Sequence, residues 1–116
     1  MGLDHGIQIK GRVDSEIYWR KCNQIRGWFS RLENFEDNGA TEISIETLND
    51  LYQDLCEVSK DHSKAEEILP VQEGFFFGSY EYDEYYFEQI EDAIEQIKDF
   101  LSNLEEGADI IYWEWY

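Results

Sequence analysis

Hydrophobic residues recur with helical spacing in three parts of this chain. The first predicted helix begins at a cap formed by Asp14 or Ser15 and ends before the Asn38-Gly39 turn. Apolar residues fall at positions i, i+4, i+7, i+11 and i+14, which is one face of a helix. This face consists of Tyr18, Cys22, Ile25, Phe29 and Leu32, and it is widened by Ile17 and Trp28.

Two further helices have clearer boundaries. The second is predicted to begin after a Ser44 cap and to end near Lys60, with Leu48, Leu51, Leu55 and Val58 facing inward. The third follows an Asp83 cap over residues 84–105, and Gly107 stands where a C-terminal glycine is expected. Its inward residues are Tyr86, Ile90, Ala93, Ile94, Ile97, Leu101 and Leu104.

The remaining apolar segments have the composition of strands. Ile7 and Ile9 alternate with polar residues within 1–12, residues 41–45 and 110–116 are rich in strand-forming residues, and Phe75–Phe77 is predicted to be buried and extended. Residues 61–74, which contain the only proline, are predicted to form a loop. The sequence therefore predicts a single α+β domain over residues 1–116, with three helices packed on a small antiparallel sheet.

The last strand carries two tryptophans on the same face. Trp113 and Trp115 are two residues apart, so their side chains point the same way along a strand. We expect both to pack against the helices. The alternative is that they join Ile111 in a patch through which two copies dimerise.

Composition indicates a folded intracellular protein. Hydrophobic residues make up 42% of the chain and aromatic residues 16%, which is too many for a disordered chain. No segment has the length of apolar sequence that a membrane span or a signal peptide requires. The two cysteines, Cys22 and Cys56, are expected to be buried free thiols. A cytoplasmic location is the expectation.

The formal net charge of −18 is unevenly distributed. Residues 1–35 hold six of the nine Lys and Arg, whereas residues 36–116 hold 23 of the 27 Asp and Glu. Such a charge argues against nucleic acid or an anionic membrane as a direct ligand, because both are polyanions. It favours a basic protein partner.

The acidic residues form rows on two predicted helices. The third helix carries Glu84, Glu88, Glu91, Glu95 and Asp99 opposite its apolar face, and the second carries Glu46, Asp50, Asp54, Glu57 and Asp61. Like charges one turn apart destabilise a helix, so these rows favour a function in binding. They are interpreted as an imitation of nucleic-acid phosphates; the alternative is an ordinary solvated surface.

Aromatic residues cluster beside the third helix. Residues 75–87 contain eight aromatics among thirteen positions, too many for all of them to face inward. Exposed tyrosines beside carboxylates are good anchors for arginine. The predicted partner-binding residues are Asp50, Asp54, Glu57, Tyr80, Tyr82, Glu84, Tyr85, Glu88, Glu91 and Glu95.

The sequence contains no recognisable catalytic pattern. No glycine-rich phosphate loop, nucleophile–histidine pair or metal-ligand spacing is present. We therefore predict that the chain is not an enzyme and that it needs no cofactor or metal.

Two stretches resemble the signatures of a family of small phage and prophage proteins. Residues 18–29, YWRKCNQIRGWF, resemble YWRK-x-N-x-I-x-x-WF, and residues 75–86, FFFGSYEYDEYY, resemble FFFGS-x-EYDEYY. Cys22 and Arg26 depart from the alanine and histidine expected at their positions. The resemblance implies a phage gene, and small acidic phage proteins include inhibitors of host nucleic-acid enzymes, among them anti-CRISPR proteins.

Charge and resemblance together predict a phage-encoded inhibitor of a host defence enzyme. An RNA-guided nuclease is the expected target, because it reads DNA with arginines and holds nucleic acid in a cationic channel. The alternatives are a phage accessory or assembly protein with an aromatic binding surface, and a protein that sequesters a small signalling molecule. The sequence leaves open whether Arg20, Lys21, Arg26 and Arg31 bind the chain's own acids or a partner.

Overall fold

Four strands form one antiparallel sheet in the part of the chain that the structure describes. That structure is a computed structural model, and it describes residues 2–72 and 81–116. In chain order the strands are β1 (Asp4–Ile9), β2 (Ile17–Arg20), β3 (Ala40–Ile43) and β4 (Ile110–Trp115). Their order across the sheet is β2–β1–β4–β3, and every neighbouring pair is antiparallel.

Helices pack on this sheet and complete an α+β fold. The described helices are α1 (Asn23–Phe29), α2 (Ile45–Lys60), α3 (Ala65–Ile68) and α4 (Glu84–Asn103). Their buried side chains join those of the strands in one hydrophobic cluster. The predicted α+β class and antiparallel sheet are confirmed, with four described helices where three were predicted.

The first predicted helix is wrong at both ends: residues before Asn23 are not helical, and neither are residues 30–37, which the prediction included. Residues 17–20 form the strand β2, in which Ile17 and Trp19 are buried while Tyr18 and Arg20 are exposed. This alternation has a period of two residues, so burial follows strand geometry, which β-branched and aromatic residues favour. Lys21 then adopts a φ of 65°, and α1 begins only at Asn23. The helix is therefore seven residues long, from 23 to 29.

Gly6 allows β1 and β2 to approach each other closely. It lies opposite Tyr18 in the register of the two strands. A Cβ atom at Gly6 would lie 1.9 Å from the carbonyl oxygen of Ile17 and 2.9 Å from the hydroxyl of Ser15. Both distances are shorter than van der Waals contact, so no larger residue fits unless the strands separate.

Replacing Gly6 with alanine is therefore expected to lower the free energy of unfolding by about 2–3 kcal/mol, the cost of overpacking an ordered site. Denaturant unfolding followed by tryptophan fluorescence measures the change. Gly39→Ala is the matched control, because a Cβ there would meet its nearest neighbours at an ordinary 3.6 Å or more. Equal stability of the two variants would contradict the close approach.

The two long helices begin where they were predicted to begin. The Ser44 hydroxyl accepts a hydrogen bond from the Thr47 amide at 3.0 Å, and the Asp83 carboxylate accepts one from the Tyr86 amide at 3.0 Å. All four predicted inward residues of α2 are buried. On α4, Leu101 and Leu104 are only half-buried, and Phe100 is buried with the predicted residues. Because α4 ends at Asn103, Gly107 belongs to the following turn, where its φ is 82°.

Part of the predicted loop after α2 is helical. A 3-10 turn covers His62–Lys64 and runs directly into α3. The Asp61 side chain accepts a hydrogen bond from the Ser63 amide, and Ala65 and Leu69 are buried against the core. A local cap and two apolar anchors therefore order a segment whose polar composition predicted a loop. The predicted extended segment Phe75–Phe77 lies outside the described residues.

The last strand packs with the opposite face from the one predicted. Ile110, Tyr112 and Glu114 are buried, whereas Trp113 is half-buried and Trp115 is 67% exposed. The Tyr112 ring stacks on Phe29 of α1 with 4.0 Å between centroids. The tryptophans therefore lie on the far side of the sheet from α1.

The cysteines differ in burial. Cys22 is buried beside α1, and burial raises the pKa of its thiol. Cys56 is only half-buried, so the expectation of two buried thiols is wrong for this residue. It is less buried because it lies on the flank of α2, away from the inward residues. Neither cysteine is in a disulfide. Among the described helices, none combines the length and the hydropathy that crossing a membrane requires.

Candidate functional site

A row of carboxylates follows the outer surface of α4. We call it the acidic ridge, and it consists of Glu84, Glu88, Glu91, Glu95 and Asp99. All five are exposed, because they lie opposite the buried face that begins at Tyr86 and continues to Phe100. The six salt bridges found between described residues all lie elsewhere. None of the five ridge carboxylates therefore takes part in a salt bridge with another described residue.

The acidic residues of α2 are partly used within the fold. Asp50 is exposed. Asp54 is half-buried and accepts a hydrogen bond from the indole nitrogen of Trp28 at 2.8 Å. Glu57 forms a salt bridge with Lys64 at 2.9 Å. Of these three predicted site residues, Asp50 alone has no such contact within the described residues.

The acidic rows of α2 and α4 do not join into one surface. The Ser59 hydroxyl of α2 donates a hydrogen bond to Glu91, so the flank of α2 that carries Ser59, Cys56 and Tyr52 faces α4. Cys56, together with Glu95, raises the pKa of Tyr52, which agrees with this placement. At 100° per residue, Asp50, Asp54 and Glu57 lie on the opposite flank, toward α1 and α3. The predicted two-helix surface is therefore divided, and the ridge of α4 lies apart from Asp50, Asp54 and Glu57 of α2.

Only one of the three predicted tyrosines is described at the surface. Tyr85 is 59% exposed in the first turn of α4. Tyr82 is half-buried, its hydroxyl accepts a hydrogen bond from the Val71 amide at 3.0 Å, and its ring packs on Tyr86. Tyr80 lies outside the described residues.

A groove opens beside Tyr85, between β2 and α4. Its volume is about 290 Å³. The groove is lined by Tyr18, Trp19, Arg20, Cys22, Tyr85, Glu88, Gln89, Asp92 and Gln96. Trp19 donates a hydrogen bond to Gln96 at 2.8 Å, and Gln24 donates one to Gln89 at 3.0 Å, so two polar bridges fix α4 against β2 and α1. The groove was not predicted, because residues 17–20 were assigned to a helix and their pairing with β1 depends on residues distant in the sequence.

The basic residues of the first third mostly bind the chain's own atoms, which settles part of the question left open by the sequence. Arg20 lies 3.1 Å from Asp4, and Arg31 donates to the carbonyl of Ile68 at 2.9 Å. Arg26 is buried and forms salt bridges with Glu114 and Asp37.

A buried polar network surrounds Glu114, and the sequence did not reveal it. Arg26 donates to both carboxylate oxygens of Glu114 at 3.0 Å, and the Tyr112 hydroxyl donates to one of them at 3.1 Å. His5 contacts that hydroxyl at 2.9 Å. Burial lowers the pKa of His5 to about 3, with a contribution from Arg26, so His5 is neutral at physiological pH. One feature of the sequence pointed to this network: Ile110, Tyr112 and Glu114 are two residues apart, so on a strand their side chains share a face.

The network joins elements that are distant in sequence. It links β1, α1 and β4, and the Asn38 amide also donates to Glu114 at 2.8 Å. Because its side chains are buried and hydrogen-bonded to one another, the network connects parts of the fold and does not form an open reaction centre.

The described surface thus offers an acidic ridge and an aromatic groove at one end of it. Among residues 2–72 and 81–116, no three His, Cys, Asp or Glu side chains are grouped so that they could hold a metal ion. Comparisons of the chain with protein-family models, curated proteins and solved structures find no match.

Proposed function

We propose that this chain is a protein inhibitor that occupies the cationic nucleic-acid groove of its target with the acidic ridge of α4. The supporting observation is that five carboxylates line the exposed surface of one helix, while the chain's described salt bridges are made elsewhere. A surface used only for solubility has no need to keep like charges one turn apart, where they destabilise the helix.

The dimensions of the ridge suit a groove that binds a nucleic-acid strand. From residue 84 to residue 99 the helix rises about 22 Å, which gives one charge per about 5.6 Å along the ridge. One strand of DNA carries a charge per about 3.4 Å of its axis. The ridge is thus less densely charged than a strand but similar in form, a straight anionic line that a row of Lys and Arg can follow.

The proposed target is a nucleic-acid enzyme of host defence, and an RNA-guided nuclease is the first candidate. The acidic ridge favours a basic target, and the resemblance of residues 18–29 and 75–86 to phage proteins favours a target in host defence. An RNA-guided nuclease holds its heteroduplex in a positively charged channel and reads DNA bases with arginines. An acidic helix placed in either position excludes nucleic acid.

Salt dependence and competition test this function. The chain is immobilised and host lysate is applied at about 0.05 M salt, and the retained protein is then challenged with excess DNA or RNA, or with about 1 M salt, at which charge interactions reach only about 3 Å. We expect a basic nucleic-acid-binding protein that both treatments displace. Retention that survives both would contradict binding by the ridge.

A second candidate function has its own observation. Tyr18 and Trp115 are 51% and 67% exposed, and the Tyr18 ring stacks on Trp113 with 6.3 Å between centroids. These three residues form an aromatic surface on the side of the sheet away from α1, which we call the outer sheet face. Exposed aromatic surfaces of this kind anchor protein partners. A phage accessory or assembly protein would bind another component here.

If the partner binds the outer sheet face, the expected effect of salt is the opposite. Its partner should remain bound at about 1 M salt, where ionic attraction is screened, and should be lost from the Trp115→Ala variant, because a buried aromatic anchor can contribute about 2 kcal/mol or more. Binding that tolerates this substitution and fails at high salt would exclude the second candidate.

A further inference from the structure

The groove between β2 and α4 combines aromatic walls with carboxylates that form no salt bridge to another described residue. We propose that it binds the guanidinium group of an arginine side chain on a partner protein. The identity of the partner rests on the proposed function, in which the target is rich in arginine. The preference for a guanidinium group is argued only from the residues that line the groove.

Tyr85 and Trp19 supply the aromatic lining of the groove. Tyr85 belongs to α4 and is 59% exposed, and Trp19 belongs to β2. Tyr18 also lines the groove, but its side chain points to the outer sheet face, where its ring stacks on Trp113. Arginine binds aromatic faces by cation–π contact and by stacking of its planar group.

Two carboxylates supply the charge that arginine requires. Glu88 and Asp92 stand one turn apart on α4, both line the groove, and both are exposed. Neither takes part in a salt bridge with another described residue. Arg20 also lines the groove, but Asp4 lies 3.1 Å from it and offsets its charge. The charge available to a ligand is therefore negative.

The size and rigidity of the groove favour a single side chain. Its volume of about 290 Å³ is at the lower limit of small-molecule sites. The hydrogen bond between Trp19 and Gln96 fixes β2 against α4, so the groove is already formed in the free chain. Arginine is favoured over lysine, because a planar fork can bond to two carboxylates while it stacks on a ring.

A matched pair of short peptides tests the site. The peptide acetyl-Gly-Gly-Arg-Gly-Gly-amide is titrated into the labelled full chain, and amide and indole signals are followed by NMR. We expect shifts at Trp19, Tyr85 and Glu88, with a dissociation constant on the order of 1–10 mM. The same peptide with citrulline, which has the shape of arginine without its charge, is expected to cause no saturable shift.

Two double variants of α4 separate the groove from the general charge of the ridge. Glu88→Gln with Asp92→Asn removes the two groove carboxylates, and it is expected to weaken arginine binding about fivefold or more. Glu95→Gln with Asp99→Asn removes the same charges at the same spacing outside the groove, and it is expected to leave binding within about twofold, since neither residue lines the groove and exposed ion pairs that are not in contact contribute little.

The results also distinguish the groove from the proposed function. Equal shifts with arginine and citrulline, or equal losses in the two double variants, would overturn the groove even if the ridge still bound a basic target. Arginine-specific shifts that only the Glu88/Asp92 variant loses would support the groove even if no nucleic-acid enzyme were inhibited.

Discussion

Replacing Glu114 with alanine is expected to lower the free energy of unfolding by about 3–5 kcal/mol, the cost of removing one partner from a buried ion pair. The Glu114 side chain is 0% exposed and accepts hydrogen bonds from Arg26, Tyr112 and the Asn38 amide. Without it, the guanidinium of Arg26 stays buried and loses its two bonds to that carboxylate. Urea unfolding followed by tryptophan fluorescence measures the change.

The same arginine provides the control for this prediction. Asp37 also forms a salt bridge with Arg26, at 2.7 Å, but its side chain is 67% exposed. Asp37→Ala is therefore expected to cost at most about 1 kcal/mol, as for other exposed ion pairs. If the two alanine variants were equally stable, the buried network would not be a main stabilising feature of the fold.

Reversing the charge of the acidic ridge is expected to abolish target binding. The triple variant Glu88→Lys, Glu91→Lys and Glu95→Lys places three cations opposite the target's own, and like charges at an interface cost several kcal/mol. The expected loss of affinity is on the order of 100-fold or more. It is measured as binding of the purified target and as recovery of its nucleic-acid binding.

A second triple variant controls for net charge. Asp14, Glu33 and Glu36 are exposed and lie outside the helices, and none of them lines a pocket with a ridge residue, so their replacement by lysine changes the net charge by the same amount away from the ridge. This variant is expected to bind within about threefold of the natural chain, through the loss of long-range attraction alone. The ridge variant should also remain folded, because all three positions are exposed and lie opposite the buried face of α4. Equal binding by the two triple variants would refute the ridge.

The parts of the fold that could be predicted are those where local chemistry and packing agree. In α2 and α4, side-chain caps at Ser44 and Asp83 and an apolar face of helical period indicate the same element. The strand composition of residues 110–116 likewise gave β4. These signals are local, so no knowledge of distant residues was needed.

Errors arose where a distant neighbour decides the outcome. Residues 17–32 satisfy a helical pattern, but pairing with β1 makes residues 17–20 a strand, and only the register across Gly6 reveals this. On β4, the choice between its two faces depends on a charged residue. Glu114 is buried because Arg26, 88 positions away in the chain, is buried with it. Hydrophobicity alone favours the tryptophan face.

Of the two features of the candidate site, the acidic ridge could be predicted from the sequence and the groove could not. Helical geometry alone places Glu88, Glu91 and Glu95 on one exposed face, and the structure has them exposed. The groove needs β2 to lie beside α4, which depends on the long-range contact of Trp19 with Gln96. Asp54 is the opposite case. Helical geometry predicts that its side chain is exposed, but Asp54 is half-buried and accepts a hydrogen bond from Trp28.

The order of the strands has a consequence for synthesis on the ribosome. The two central strands, β1 and β4, come from opposite ends of the sequence, and His5 meets Tyr112 across 107 positions. During translation β1 can pair with β2 early, but its other edge stays open until residues 110–115 have left the exit tunnel. The nascent chain therefore exposes half of a sheet until these residues emerge, and closure of the sheet is a non-local and comparatively slow event.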